Sequence, residues 1–81
     1  MSGGFPAISG NELIKVLTQK GGWKKGRHST HGLTITKKVG ERTLVTFIPT
    51  KNDSLPKGTL AAILRECRLT KEDIQKLLYS S

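Results

Sequence analysis

Apolar residues recur at helical spacing over Leu13, Ile14 and Leu17, with Val16 beside them, and predict a first helix. Ser9-Gly10-Asn11-Glu12 stands ahead of it as a capping box, in which the hydroxyl and the carboxylate each reach the other residue's amide. Gly21-Gly22 ends the helix, because glycine takes the left-handed C-terminal conformation without steric cost. Trp23 opens a short extended segment, and a turn follows at Gly26 to Ser29. The Thr-rich, β-branched run from Thr30 to Lys38 predicts a strand, with Val39-Gly40 as its turn. Thr43 to Ile48 predicts the next strand. Its Leu44, Val45, Phe47 and Ile48 put apolar side chains on both faces, as in a central or well-covered strand, and Pro49 closes it. Thr50 to Leu55 is polar and loop-like.

Leu60, Ile63, Leu64 and Cys67 then sit at i, i+3, i+4 and i+7, one apolar stripe on a helix from Lys57 to Cys67. Cys67 on that stripe reads as a small buried hydrophobe rather than a reactive thiol. Thr70 caps a third helix, Leu69 can staple onto Ile74, and Ile74, Leu77 and Leu78 form its apolar side. The order is helix, two or three antiparallel strands, helix and short helix. The helices need one apolar sheet face to bury their stripes, which predicts a two-layer α+β domain with the other face or edge in solvent. The chain has 81 residues, enough for one domain over 1–81 with a thin core.

Fourteen Lys and Arg against six Asp and Glu give a formal net charge of +8. That balance suits RNA, DNA, an anionic membrane or an acidic protein partner. Cys67 is the single cysteine, so no internal disulfide can form, and no Cys/His cluster has zinc-ligand spacing. A reducing cytoplasm is the simplest compartment. Residues 1–10 have neither the basic start nor the apolar run of a secretory signal, and no stretch approaches the ~20 apolar residues of a membrane span. No helix is long or basic enough to favour a membrane-surface role.

The cations cluster. Lys24, Lys25, Arg27, Lys37, Lys38 and Arg42 lie between Trp23 and the second strand, opposed only by Glu41. His31 lies in their midst, and histidine is the residue type that exchanges a proton near neutral pH. RNA carries its own nucleophile, the 2′-hydroxyl. A histidine can remove that proton, and Lys or Arg can stabilise charge as it develops on the phosphate. No acidic cluster is present to hold a metal, and no cofactor is implied. Lys24, Lys25, Arg27 and His28 are candidate phosphate contacts, alternatively a solvated charge run. Lys37 and Lys38 suit phosphate or, equally, protection of a strand edge. Lys57 with Gly58 opens a helix whose free amides can hold phosphate, or is a plain helix start with Gly58 kept for close packing. Trp23 beside two glycines reads as a core plug, with base stacking as the alternative.

Ile8-Ser9-Gly10-Asn11-Glu12-Leu13-Ile14-Lys15-Val16-Leu17, Gly22-Trp23, Ser29-Thr30-His31, Ile48-Pro49, Leu55-Pro56-Lys57-Gly58-Thr59-Leu60, Ile63-Leu64 and Leu69-Thr70-Lys71-Glu72-Asp73 occur in an order that resembles the HicA family of bacterial mRNA interferase toxins. The resemblance covers residues 8–78, with 1–7 read as a flexible N-terminus. It implies an α-β-β-β-α fold like that of double-stranded-RNA-binding domains, with a short extra C-terminal helix. It further implies metal-independent cleavage of mRNA, restraint by a HicB-like antitoxin, and a functional histidine at His31. Ser29-Thr30 stands where the family has Gly-Ser, and Thr50-Lys51 where many members carry another histidine. The alternative is a non-catalytic double-stranded-RNA-binding module. Such modules usually open their final helix with several lysines, and Lys57-Gly58-Thr59-Leu60-Ala61-Ala62 has one. A DNA-binding role lacks a helix-turn-helix signal.

Overall fold

The computed structural model describes residues 7–50 and 53–79. Six elements follow in order: α1 (Gly10–Gln19), β1 (Lys24–His28), β2 (Gly32–Val39), β3 (Arg42–Pro49), α2 (Lys57–Glu66) and α3 (Lys71–Tyr79). The strands form one antiparallel sheet in the order β1-β2-β3. The chain is therefore a small α+β domain, with one helix before the sheet and two after it. The N-terminal segment expected to be flexible lies, apart from Ala7, outside the described residues.

Local signals set the helix boundaries. The Glu12 amide donates to Ser9 Oγ at 3.2 Å, and the Ser9 amide donates to Glu12 Oε1 at 3.2 Å, which completes the capping box of α1. Thr70 and Asp73 repeat the device at α3: the Asp73 amide donates to Thr70 Oγ1 at 3.1 Å and the Thr70 amide to Asp73 Oδ2 at 2.9 Å. Those bonds favour the ionised form and hold the Asp73 carboxyl below its ordinary value. The end of α2 has no glycine. Arg68 takes the left-handed conformation instead, at φ 60°. Its amide donates to the Arg65 carbonyl at 3.1 Å and the Leu69 amide to the Leu64 carbonyl at 2.8 Å. That is the Schellman pattern, built here on a residue whose sequence carries no stop signal.

The helices cover one side of the sheet. Leu33, Ile35, Thr46 and Ile48 are buried on that side, under Leu13, Ile14 and Leu17 of α1, Leu60, Ile63 and Leu64 of α2, and Ile74 of α3. Each buried Leu or Ile among them contributes about 1.5–3 kcal/mol on leaving water. Thr46 is the one buried polar side chain of the sheet, and its hydroxyl donates to Glu66 Oε1 at 2.5 Å. Trp23 is only 3 % exposed and belongs to this core, so it is not available to stack on a base. Cys67 is buried too, as its place on the stripe predicts. Burial first, and then the neighbouring Glu66 carboxylate, push its thiol up to about 12.

One expectation about the sheet is overturned. β3 is not a central, doubly covered strand; it is an edge strand. Its apolar residues do alternate between both faces, but no helix covers the outer one. Val45 is 54 % and Phe47 44 % exposed there. Pro49 ends the strand within its last ladder pair, opposite Gly32. The segment expected to be a polar loop is tied down where it is described: Ser54 bridges Ser9, and the Leu55 amide donates to the Ile8 carbonyl at 2.8 Å.

Two glycines close on the end of β3. A Cβ at Gly10 would stand 1.6 Å from the Pro49 carbonyl oxygen. One at Gly32 would stand 2.4 Å from the Ile48 carbonyl oxygen and 2.6 Å from Phe47 Cζ. Neither site has room for a methyl group. Gly58 is the contrast: nothing lies within 4 Å of an added Cβ, so close packing does not account for it. Gly10→Ala should therefore lower unfolding free energy by at least about 2 kcal/mol through backbone displacement. Gly58→Ala should raise it by up to about 1 kcal/mol through helix propensity. Urea unfolding of the two variants beside the parent checks both signs.

Candidate nucleic-acid interface

β1 is Lys24-Lys25-Gly26-Arg27-His28, and all five residues are exposed. It pairs only with β2, so one of its edges is open. Its register breaks in the middle. Lys24 stands opposite Thr36 and Lys25 opposite Ile35, but His28 stands opposite Leu33. Gly26 and Arg27 together therefore face the single residue Thr34, which is a β-bulge. A side chain at Gly26 would meet the Thr34 carbonyl oxygen at 2.9 Å, so the crowded position carries none. The extra residue has a consequence for chemistry. In unbroken register His28 would alternate onto the solvent side with Lys24. The bulge turns it instead to the side of Leu33 and Ile35, where α1 lies.

A groove of about 640 Å³ runs between α1 and β1 on that side. Its floor is Ile14 and Leu33. α1 contributes Asn11, Lys15, Thr18 and Gln19 to one wall; Lys25, Gly26 and His28 form the other, and Thr50 closes one end. Among the described residues, two lysines and a histidine line it with no carboxylate. Glu12, the acid on α1, is held in the helix cap. The Thr18 hydroxyl donates to the Ile14 carbonyl at 2.7 Å and so serves its own helix. An anion is the ligand this lining suits, since both lysines present positive point charges to it.

His31 is not on a strand, as the Thr-rich run predicts. It lies in the connection between β1 and β2. The Ser29 amide donates to the Gly32 carbonyl at 2.8 Å, which makes Thr30-His31 the two-residue tip of a hairpin. The difference arises because Gly32, pressed against β3, is where pairing with β3 begins. His31 is exposed, and its carbonyl accepts from the Thr50 amide at 3.4 Å. That bond places the His31 backbone beside Thr50, which closes one end of the groove; His31 is not one of the residues that line it.

The remaining predicted contacts separate. Lys25 and His28 line the groove; Lys24, Arg27 and Lys38 stand at exposed positions opposite Thr36, Thr34 and Thr43, on the outer side. Lys37 is half-buried on the helix side, in a second hollow of about 390 Å³ with Lys20, Trp23, Asp73 and Lys76. Lys57 opens α2 without a side-chain cap and lines neither hollow. Lys15 is a groove residue that charge clustering misses, because it lies on α1, far from the basic stretch in sequence. The polar stripe Asn11, Lys15, Thr18, at i, i+4 and i+7, is the signal that marks it. Among the described residues, no three His, Cys, Asp or Glu side chains gather as a metal site, and no helix is long and apolar enough to cross a membrane.

Compared with known proteins, the chain matches no family model, no curated protein and no solved structure.

If the groove holds phosphate, binding to a single-stranded RNA should fall with salt, and each lysine that touches phosphate should contribute about 0.7 to the slope of log K against log salt. Lys15→Ala with Lys25→Ala should then flatten the slope by about 1.4. Lys57→Ala should leave it unchanged. Fluorescence anisotropy across a salt series measures all three.

Proposed function

We propose that this chain is a ribonuclease toxin of the HicA kind, acting on mRNA without a metal. Its layout is consistent with the α-β-β-β-α arrangement of double-stranded-RNA-binding domains, with α3 as the extra helix. The observation that carries the reading is the bulge at Gly26-Arg27. It turns His28 to the groove side, next to Lys25 and across from Lys15, at the same hairpin whose tip is His31.

In this reading the RNA backbone enters the groove with its phosphates on Lys15 and Lys25. His31 takes the proton of a ribose 2′-hydroxyl. The 2′-oxygen attacks the adjoining phosphorus, the bond to the 5′-oxygen breaks, that oxygen takes a proton from water, and His31 gives its proton back to solvent. The products are a 2′,3′-cyclic phosphate and a 5′-hydroxyl. His28 contacts the same phosphate from the facing strand of the hairpin. The lysines stabilise the additional charge of the transition state, where low local screening makes them most effective. An acidic HicB-like antitoxin that covers the groove would restrain the activity, and the cytoplasm, where mRNA is translated, is the compartment.

The test is cleavage of an end-labelled single-stranded RNA in EDTA. The native chain should cut it, and His31→Ala should lose about 10²–10⁴-fold in rate with its melting temperature unchanged. Equal cutting by His31→Ala, together with loss in His28→Ala, would transfer the base to His28. Salt-sensitive binding with no cutting by the native chain would replace the enzyme with a non-catalytic RNA-binding module.

A further inference from the structure

The groove leaves the outer face of the sheet unused. Following the ladder, the residues on that face are Lys24 and Arg27 from β1, Thr34, Thr36 and Lys38 from β2, and Thr43, Val45 and Phe47 from β3. The face has three cations at one flank and along its centre, hydroxyls between them, and an apolar flank on β3. None of these positions is acidic. Phe47 is 44 % exposed, and its ring reaches from β3 toward the start of β2, with Cζ 2.6 Å from where a Cβ on Gly32 would be. Gly32 directly follows His31. The edge of an exposed aromatic ring thus lies beside Gly32, one residue from the proposed base.

We propose that Phe47 is a stacking platform for one unpaired nucleobase of a single-stranded RNA, next to the nucleotide that is cut. The strand crosses the hairpin tip. One base lies on Phe47 on the outer side, Arg27 and Lys24 hold the phosphates flanking it, and the backbone passes over His31 into the groove. Stacking on an aromatic ring accepts any base, because every base has a π-face. The ring would therefore set the register of the RNA on the protein rather than read its sequence. The cationic, acid-free outer row favours this polyanion over a second copy of the chain, which would bring the same charges face to face. The proposal rests on the ribonuclease reading for its meaning, but its test does not need cleavage.

The probe is a single-stranded oligonucleotide with 2′-O-methyl sugars throughout, which cannot be cut, carrying one 2-aminopurine whose fluorescence falls on stacking. The native chain should bind and quench it. Phe47→Leu should bind about 10- to 100-fold more weakly without quenching, and Phe47→Tyr should restore both. Arg27→Ala, on a fully exposed strand, should weaken binding and flatten its salt dependence while leaving the melting temperature unchanged. The affinity for a fully paired duplex of the same sequence should not change in Phe47→Leu, since no base is free to stack. Unchanged binding and quenching by a folded Phe47→Leu would overturn the platform, even if the native chain cuts RNA. A native dimer that Phe47→Leu dissociates in sedimentation would overturn it in favour of a second copy. Quenching that depends on Phe47, with no cutting of ordinary RNA, would uphold the platform and remove the enzyme.

Discussion

At the end of β3 backbone meets backbone with no room for a side chain at two glycines. Gly10 opens α1 against the Pro49 carbonyl, and Gly32 opens β2 against the Ile48 carbonyl. A methyl group on either would overlap an oxygen that cannot move without moving the strand. Three elements thus meet at Ile48-Pro49 with no side chain between them. Everything functional in the domain is placed from that point. The start of α1 fixes where its polar stripe lies relative to the sheet. The start of β2 fixes where the hairpin tip must fall, and so the position of His31. The link Leu55 to Ile8 and the bridge Ser54 to Ser9 brace the same corner from the other side.

From that corner the groove follows with few further conditions. α1 crosses the sheet with Ile14 on the core side, so Asn11, Lys15 and Thr18 face β1. β1 is held by hydrogen bonds to one neighbour only, and an edge strand tolerates a bulge where a central strand would not. The extra residue at Gly26-Arg27 changes the side on which His28 emerges. Lys25 and His28 of the hairpin then face Lys15 of α1 across the groove. The same bulge leaves Arg27 opposite Thr34 on the outer face. In unbroken register Arg27 would stand opposite Leu33 on the groove side and His28 on the outer face; the bulge exchanges the two.

Features that depend on neighbours in sequence are legible without the structure. The capping box at Ser9 and Glu12, the stripe from Leu60 to Cys67 and the cap at Thr70 all rest on residues within one or two turns. Trp23 and Cys67 are buried for reasons that composition and spacing already contain. Features that depend on pairing are not legible. Val45 and Phe47 alternate with Leu44 and Ile48 as in a covered strand, and only the strand order reveals that nothing covers them. Thr30 and His31 read as strand because they open a Thr-rich, β-branched run, and only the crowding at Gly32 shows where pairing with β3 starts. The bulge is set by Thr34 opposite Gly26, a partner eight residues away. Lys15 joins the site through the crossing of α1 over the sheet. Arg68 ends α2 through backbone bonds that no glycine announces.

The account stands or falls on whether RNA occupies the space between α1 and β1. Amide chemical-shift mapping of the isotope-labelled chain, titrated with a short uncleavable single-stranded RNA, measures this directly. Shifts concentrated at Asn11, Lys15, Gln19, Lys25, His28 and Thr50, together with the hairpin tip at His31, are the predicted result. Shifts confined to α2, α3 and the hollow around Lys37 and Lys76, with α1 and β1 unmoved, would contradict it.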